Sequence, residues 1–257
     1  MTGDRKKENA AAVEALATLA PSDLVVRLTQ ADALSREDLE SGPIRDLVAR
    51  EVRSGAMRSD EQLQALLADT LRGVEGDIWV FGYGSLMWNP ILSVAERRVV
   101  RISGYHRSFC LRLTIGRGSP ERPGLMLALD AGGSSVGLAL RIAAETMEQD
   151  LALLWRREMS TRAYVPKWLR AKGKLGDVRV LAFAANRRAD NYVRGLSENE
   201  TAELLSTGAG FLGTNLDYLV RTHGSLRELG ITDRKINRLM RCCAAFSATS
   251  RACDRAP

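Results

Sequence analysis

The chain changes character near residue 76, and that change limits what it can fold into. Before it, Leu63, Leu66, Leu67 and Leu71 recur at helical spacing after Ser59, with Gln62 placed to complete a capping box. Arg72-Gly73-Val74-Glu75-Gly76 then reads as a helix stop and a short linker. From Asp77 onward short apolar runs take over. Strands are expected at Ile78–Phe81, Arg98–Ile102, Tyr105–Leu113, Leu125–Leu129, Val136–Ile142 and Val178–Ala184. Gly116-Arg117-Gly118-Ser119-Pro120 and Ala131-Gly132-Gly133-Ser134 are expected turns between them. Strands in succession with few helices between them argue for an α+β fold rather than alternating βαβ units. Helices are expected again over Met147–Met159, with Thr146 and Gln149 as a capping box, and after Ser197, where Glu200 completes another. Two more follow, one from Thr214 with Asp217 nearby and one from Asp233 to about Phe246. The expected division is a helical N-terminal extension over 1–76, a main domain over 77–246 and a disordered tail over 247–257.

Composition narrows the function classes. A chain of 257 residues, 45% of them hydrophobic, can bury a full core without disulfides or metal. No apolar run approaches the roughly 18 residues of a membrane helix. The formal charge of +6 is scattered, which suits a solvated surface or an anionic small molecule. Nucleic-acid binding lacks its usual platform, because aromatics are only 5% and are not interleaved with arginine. The N-terminus sets basic residues before an alanine-rich stretch, but Glu8 and Glu14 interrupt it, so an amphipathic helix is expected there rather than a secretory signal. Four cysteines without a C-x-x-C pair argue against a zinc knuckle and fit a reducing cytoplasm. Only two histidines occur, which excludes sites built from several.

Three places could carry chemistry. The Gly82-Tyr83-Gly84-Ser85-Leu86 turn follows an apolar strand directly, where glycines allow a sharp reversal and close backbone approach. Met87 stands where a dinucleotide fingerprint or a nucleophile elbow would need glycine. From local pattern, the turn is either a tight connection or a cradle for an anionic ligand. Glu158 falls on the helical face of Met147, Leu151, Leu154 and Trp155, so its carboxylate points inward. It is either a proton carrier with a raised pKa or the partner of Arg157 or Arg162. Arg112 and Arg117 offer bidentate recognition of carboxylates, or are loop charges. His106, on an alternating strand, is expected at the surface or in a structural position, and His223 on the polar-to-apolar edge of the helix that starts at Thr214.

These residues together resemble the ChaC-type gamma-glutamylcyclotransferases. Val80-Phe81-Gly82-Tyr83-Gly84-Ser85-Leu86-Met87-Trp88 is similar to that family's opening motif. Gly104-Tyr105-His106-Arg107-Ser108-Phe109, Arg117-Gly118, Val136-Gly137-Leu138-Ala139, Arg157-Glu158 with Tyr164, and Gly213-x-Asn215-Leu216-x-Tyr218-Leu219 follow in order. The resemblance covers about residues 77–240. It implies a small mixed β-barrel flanked by helices. It also implies cleavage of glutathione to 5-oxoproline and cysteinylglycine without metal or organic cofactor. Glu158 would be the general acid/base, and Tyr83, Gly84, Ser85 and Leu86 would hold the gamma-glutamyl group, with Tyr164 and Arg117 beside the substrate. Other gamma-glutamyl amines or amino acids are alternative substrates, and a non-catalytic regulatory protein of the same fold is an alternative reading. Two departures stand out: Leu125 replaces an arginine of the family pattern, and Ala163 replaces a glycine.

Overall fold

A computed structural model describes residues 35–40 and 57–253. The expected N-terminal helix around the alanine-rich stretch lies outside these residues. The described chain forms two compact units.

The first unit, Ser35–Leu111 with Leu127–Tyr192, carries most of the closed barrel. Its strands are β1 (Ile78–Gly82), β2 (Val94–Leu113), β3 (Gly124–Ile142), β4 (Tyr164–Gly173) and β5 (Val178–Ala185). They pair in the order β1-β3-β2-β4-β5, and β1 closes the barrel by pairing parallel to β5. Ile78, Val80, Phe81, Leu127, Leu129, Leu140, Ile142, Val180 and Leu181 fill the barrel core almost without exposure.

The expected strands are present, but their ends differ. Arg98–Ile102 and Tyr105–Leu113 are one strand, β2, which runs through Gly104 at φ +85°. Leu125–Leu129 and Val136–Ile142 likewise merge into β3. The expected turn at 131–134 lies inside that strand, where Gly132 and Gly133 take φ +102° and +68° and let it bend without breaking. β4 had no expectation, because Pro166 argues against a strand there. Its register explains the tolerance: β4 meets β5 along its length, Pro166 facing Phe183, but meets β2 only from Ala171 to Gly173. Pro166 therefore sits where one side of the strand needs no amide donor.

Three helices belong to this unit: α1 (Arg36–Glu40), α2 (Asp60–Thr70) and α3 (Met147–Glu158). α2 begins with the expected reciprocal bonds between Ser59 and Gln62. α3 buries Leu151, Leu153, Leu154 and Trp155. Its expected capping box is absent, because Thr146 has φ −108° and ψ −3° and its side chain makes no cap bond. Asp150 in the first turn instead binds outward. It accepts from Arg36 at 2.7 Å and from the Ser93 amide at 2.9 Å, tying α1 and the segment before β2 to α3.

The second unit comprises Arg112–Met126 and the chain from Val193 onward. It contains α4 (Glu198–Thr207), the short pair β6 (Ala209–Gly210) and β7 (Gly213–Thr214), α5 (Asn215–Glu228) and α6 (Arg234–Cys253). Ser197 and Glu200 form the expected capping box, and Thr214 accepts from the Asp217 amide. α6 continues past Phe246 to Cys253, into the segment expected as a tail, because no glycine or proline intervenes to stop it. Among the described residues, no helix is long and apolar enough to cross a membrane.

Candidate active site

β1 ends in the glycine-rich turn. The chain reverses at Gly84 and enters a single 3-10 turn, Ser85–Met87. The amides of Met87, Trp88 and Asn89 bond back to the carbonyls of Gly84 and Ser85. Leu86 and Met87 are buried and anchor the turn.

Two side chains hold the turn from below. The Tyr83 hydroxyl donates to the Phe183 carbonyl at 2.9 Å, fixing the turn to β5. Arg107, only 3% exposed, donates through Nε to the Tyr83 carbonyl at 2.6 Å. Its second nitrogen reaches the Val136 carbonyl at 2.5 Å. Gly137 allows β3 to lie this close, since a Cβ there would fall 2.4 Å from the Gly82 oxygen. The resemblance included Arg107 and Gly137 without giving either a role. Strand alternation offered a signal for Arg107: it shares a face with Phe109 and Leu111, both buried.

Glu158 is the last residue of α3, and its side chain keeps 14% exposure. Burial raises its carboxyl above the ordinary range, and the Arg157 guanidinium opposes the rise without cancelling it. The inward carboxylate also pairs with Arg157 at 3.2 Å. Arg157 reaches further. It donates to the Ser85 hydroxyl at 2.6 Å and to the Asn89 carbonyl at 2.8 Å. Glu158 and the turn are thus linked through one guanidinium, although more than seventy positions separate Ser85 from Glu158.

The end of α3 is clasped from another direction. Met57 bridges to Thr161, and Arg58 donates to the carbonyls of Met159 and Thr161. Tyr164 opens β4, and its buried hydroxyl donates to the Leu127 carbonyl at 3.0 Å. Tyr83, Gly84, Ser85, Leu86, Glu158 and Tyr164 all belong to the barrel unit.

Arg117 belongs to the second unit, where it donates to the Thr214 carbonyl at 3.0 Å and to Asp217 at 3.3 Å. Burial lowers its pKa, and Asp217 opposes that shift. Leu125 of the same unit is fully buried and bonded through both backbone groups to the Asn215 side chain.

Known proteins resemble this chain. Residues 78–245 match the model of the ChaC-like protein family. A glutathione-specific gamma-glutamylcyclotransferase of Escherichia coli K12 is 43% identical over 192 residues, which cover 74% of this chain and 83% of that protein. The human glutathione-specific gamma-glutamylcyclotransferase 1 is 32% identical over 149 residues, covering 56% of this chain and 67% of that protein. A yeast gamma-glutamyl cyclotransferase specific to glutathione superposes with a TM-score of 0.62 at 20% identity, covering 67% of this chain and 97% of the yeast chain. By the family match across most of its barrel and helices, and by its identity with the bacterial relative, this chain belongs to the ChaC-like family.

Proposed function

We propose that this chain is a glutathione-specific gamma-glutamylcyclotransferase, releasing 5-oxoproline and cysteinylglycine. The observation that carries the reading is the link from Ser85 through Arg157 to the largely buried Glu158. The identity with the bacterial and human relatives supports the substrate.

The reaction is intramolecular and redox-neutral. The alpha-amine of the gamma-glutamyl group attacks its own gamma-carbonyl carbon, forming a carbon–nitrogen bond and a five-membered ring. The amide bond to cysteine then breaks, and its electron pair leaves on the cysteine nitrogen. One proton must leave the attacking amine and one must reach the departing amine. Glu158 takes the first and returns it to the second. A carboxyl with a raised pKa suits both duties near neutral pH. Backbone amides of the Tyr83–Leu86 turn stabilise the tetrahedral oxyanion. The turn also holds the gamma-glutamyl group folded toward attack, in a near-attack geometry. Tyr164, of the same unit, completes the proposed binding set. Proton transfer and positioning suffice for this chemistry, so the proposed enzyme uses no cofactor. A small anionic substrate suits the mild positive charge, and the sparse cysteines suit the cytoplasm.

The test is incubation of purified protein with reduced glutathione and chromatographic assay of both products, beside Glu158→Gln. Product from the wild type, with turnover lowered about 10²–10⁴-fold in the variant, is expected. Product from both would remove Glu158 from the mechanism. No product from either, with turnover of another gamma-glutamyl compound, would move the specificity elsewhere.

A further inference from the structure

We infer that Arg157 is a positioning residue that locks the Ser85 turn and the Glu158 carboxylate into one geometry, a role that rests on the function proposed above. Three observations carry it. First, the guanidinium is engaged on three sides, by Glu158 at 3.2 Å, Ser85 at 2.6 Å and Asn89 at 2.8 Å. A planar fork can hold three such partners at once, whereas a lysine ammonium is a point charge on a flexible stem. Second, Arg157 and Glu158 are adjacent in a helix, where neighbours point about 100° apart and do not normally face each other. Their pairing needs an outside anchor, and the Asn89 carbonyl and Ser85 hydroxyl supply it. Third, the side chains are only 10% and 14% exposed, so this is no solvent-screened surface pair.

Among the described residues, Arg157 is the charge that acts on Glu158. Arg36 of α1 pairs with Asp150 at the opposite end of α3. Arg58, beside α2, faces the carbonyls of Met159 and Thr161. The Tyr83 and Tyr164 hydroxyls donate to backbone carbonyls. Arg157 therefore has two separable duties. Its charge favours the ionised carboxylate, and its shape holds the turn.

The experiment separates them by steady-state glutathione kinetics across pH on Arg157→Met, Arg157→Lys and Glu158→Gln, with thermal melts alongside. Arg157→Met is expected to lower kcat by up to about a hundredfold, the cost of a misplaced reacting group. It is also expected to move the acidic limb of the kcat profile to higher pH, because Glu158 loses its cation. Arg157→Lys is expected to keep the limb and raise KM several-fold, because one ammonium cannot hold Ser85 and Asn89 together. An unmoved limb in Arg157→Met, or wild-type KM in Arg157→Lys, would overturn the inference. If Arg157→Met does not fold, the lysine variant decides alone. A fully active Glu158→Gln would instead sink the proposed role of Glu158, which distinguishes the two failures.

Discussion

Replacing Gly137 by alanine should strike the turn from behind. An added Cβ would lie 2.4 Å from the Gly82 carbonyl oxygen and 2.8 Å from the Phe81 ring. The first distance is about 1 Å short of ordinary van der Waals contact. Neither neighbour can yield locally. The oxygen belongs to β1, whose Gly82 is in register with Leu138, and Phe81 is fully buried. The strands must therefore part, and overpacking of this kind costs about 1–3 kcal/mol. A clash with backbone belongs at the upper end. For a domain of this size, 3 kcal/mol lowers Tm by roughly 6–12 °C. Near-UV circular dichroism during heating would measure the shift, and glutathione turnover at low temperature would report whether the turn moves with Gly82. A Tm within about 1 °C of wild type would refute the close approach of β3 to β1, and with it the account of why Gly137 is a glycine.

Two further outcomes follow from the same unit. Arg107→Met would strand the buried carbonyl of Tyr83 and the part-buried one of Val136, at about 1–3 kcal/mol each, so the urea midpoint should fall by the equivalent of roughly 2–6 kcal/mol; an unchanged midpoint would show that Arg107 is dispensable to the turn. Glu158 has a carboxyl whose pKa is higher folded than unfolded, so its stabilising contribution is full below the unfolded value and is lost as pH rises through the folded one. Glu158→Gln, uncharged throughout, should match wild type near about pH 4 and melt above it by about pH 8; parallel melts across that span would contradict the burial of the carboxylate.

Much of the site could be read from local chemistry, and what could not was long-range. Ser59 with Gln62 and Ser197 with Glu200 announce helix starts because a capping box is complete within four residues. The turn after β1 is visible because glycines directly follow an apolar run, and Glu158 is visible because helical periodicity carries it to the inner face. Thr146 misled, since the same spacing can sit in a backbone conformation that forms no cap. β4 was hidden because a proline usually argues against a strand, and its tolerance depends on how little of β4 meets β2. Arg157 could be placed beside Glu158 from sequence, but its reach to Ser85 and Asn89 depends on how β1 and α3 come together, which no local spacing encodes.

The bonds that steady the site have a common partner type. Tyr83, Arg107, Tyr164 and Arg157 each donate to a main-chain carbonyl, those of Phe183, Tyr83 and Val136, Leu127, and Asn89 respectively. A carbonyl is present whatever side chain its residue carries. The donor positions are therefore confined to residues of particular reach and chemistry, while the acceptor positions are constrained by volume and backbone path alone. Mutational drift should thus be lopsided: Phe183 and Leu127 can change identity within the limits of core packing, and Tyr83, Arg107 and Tyr164 cannot. A scaffold wired in this way can lose most of its sequence identity and still present the same turn.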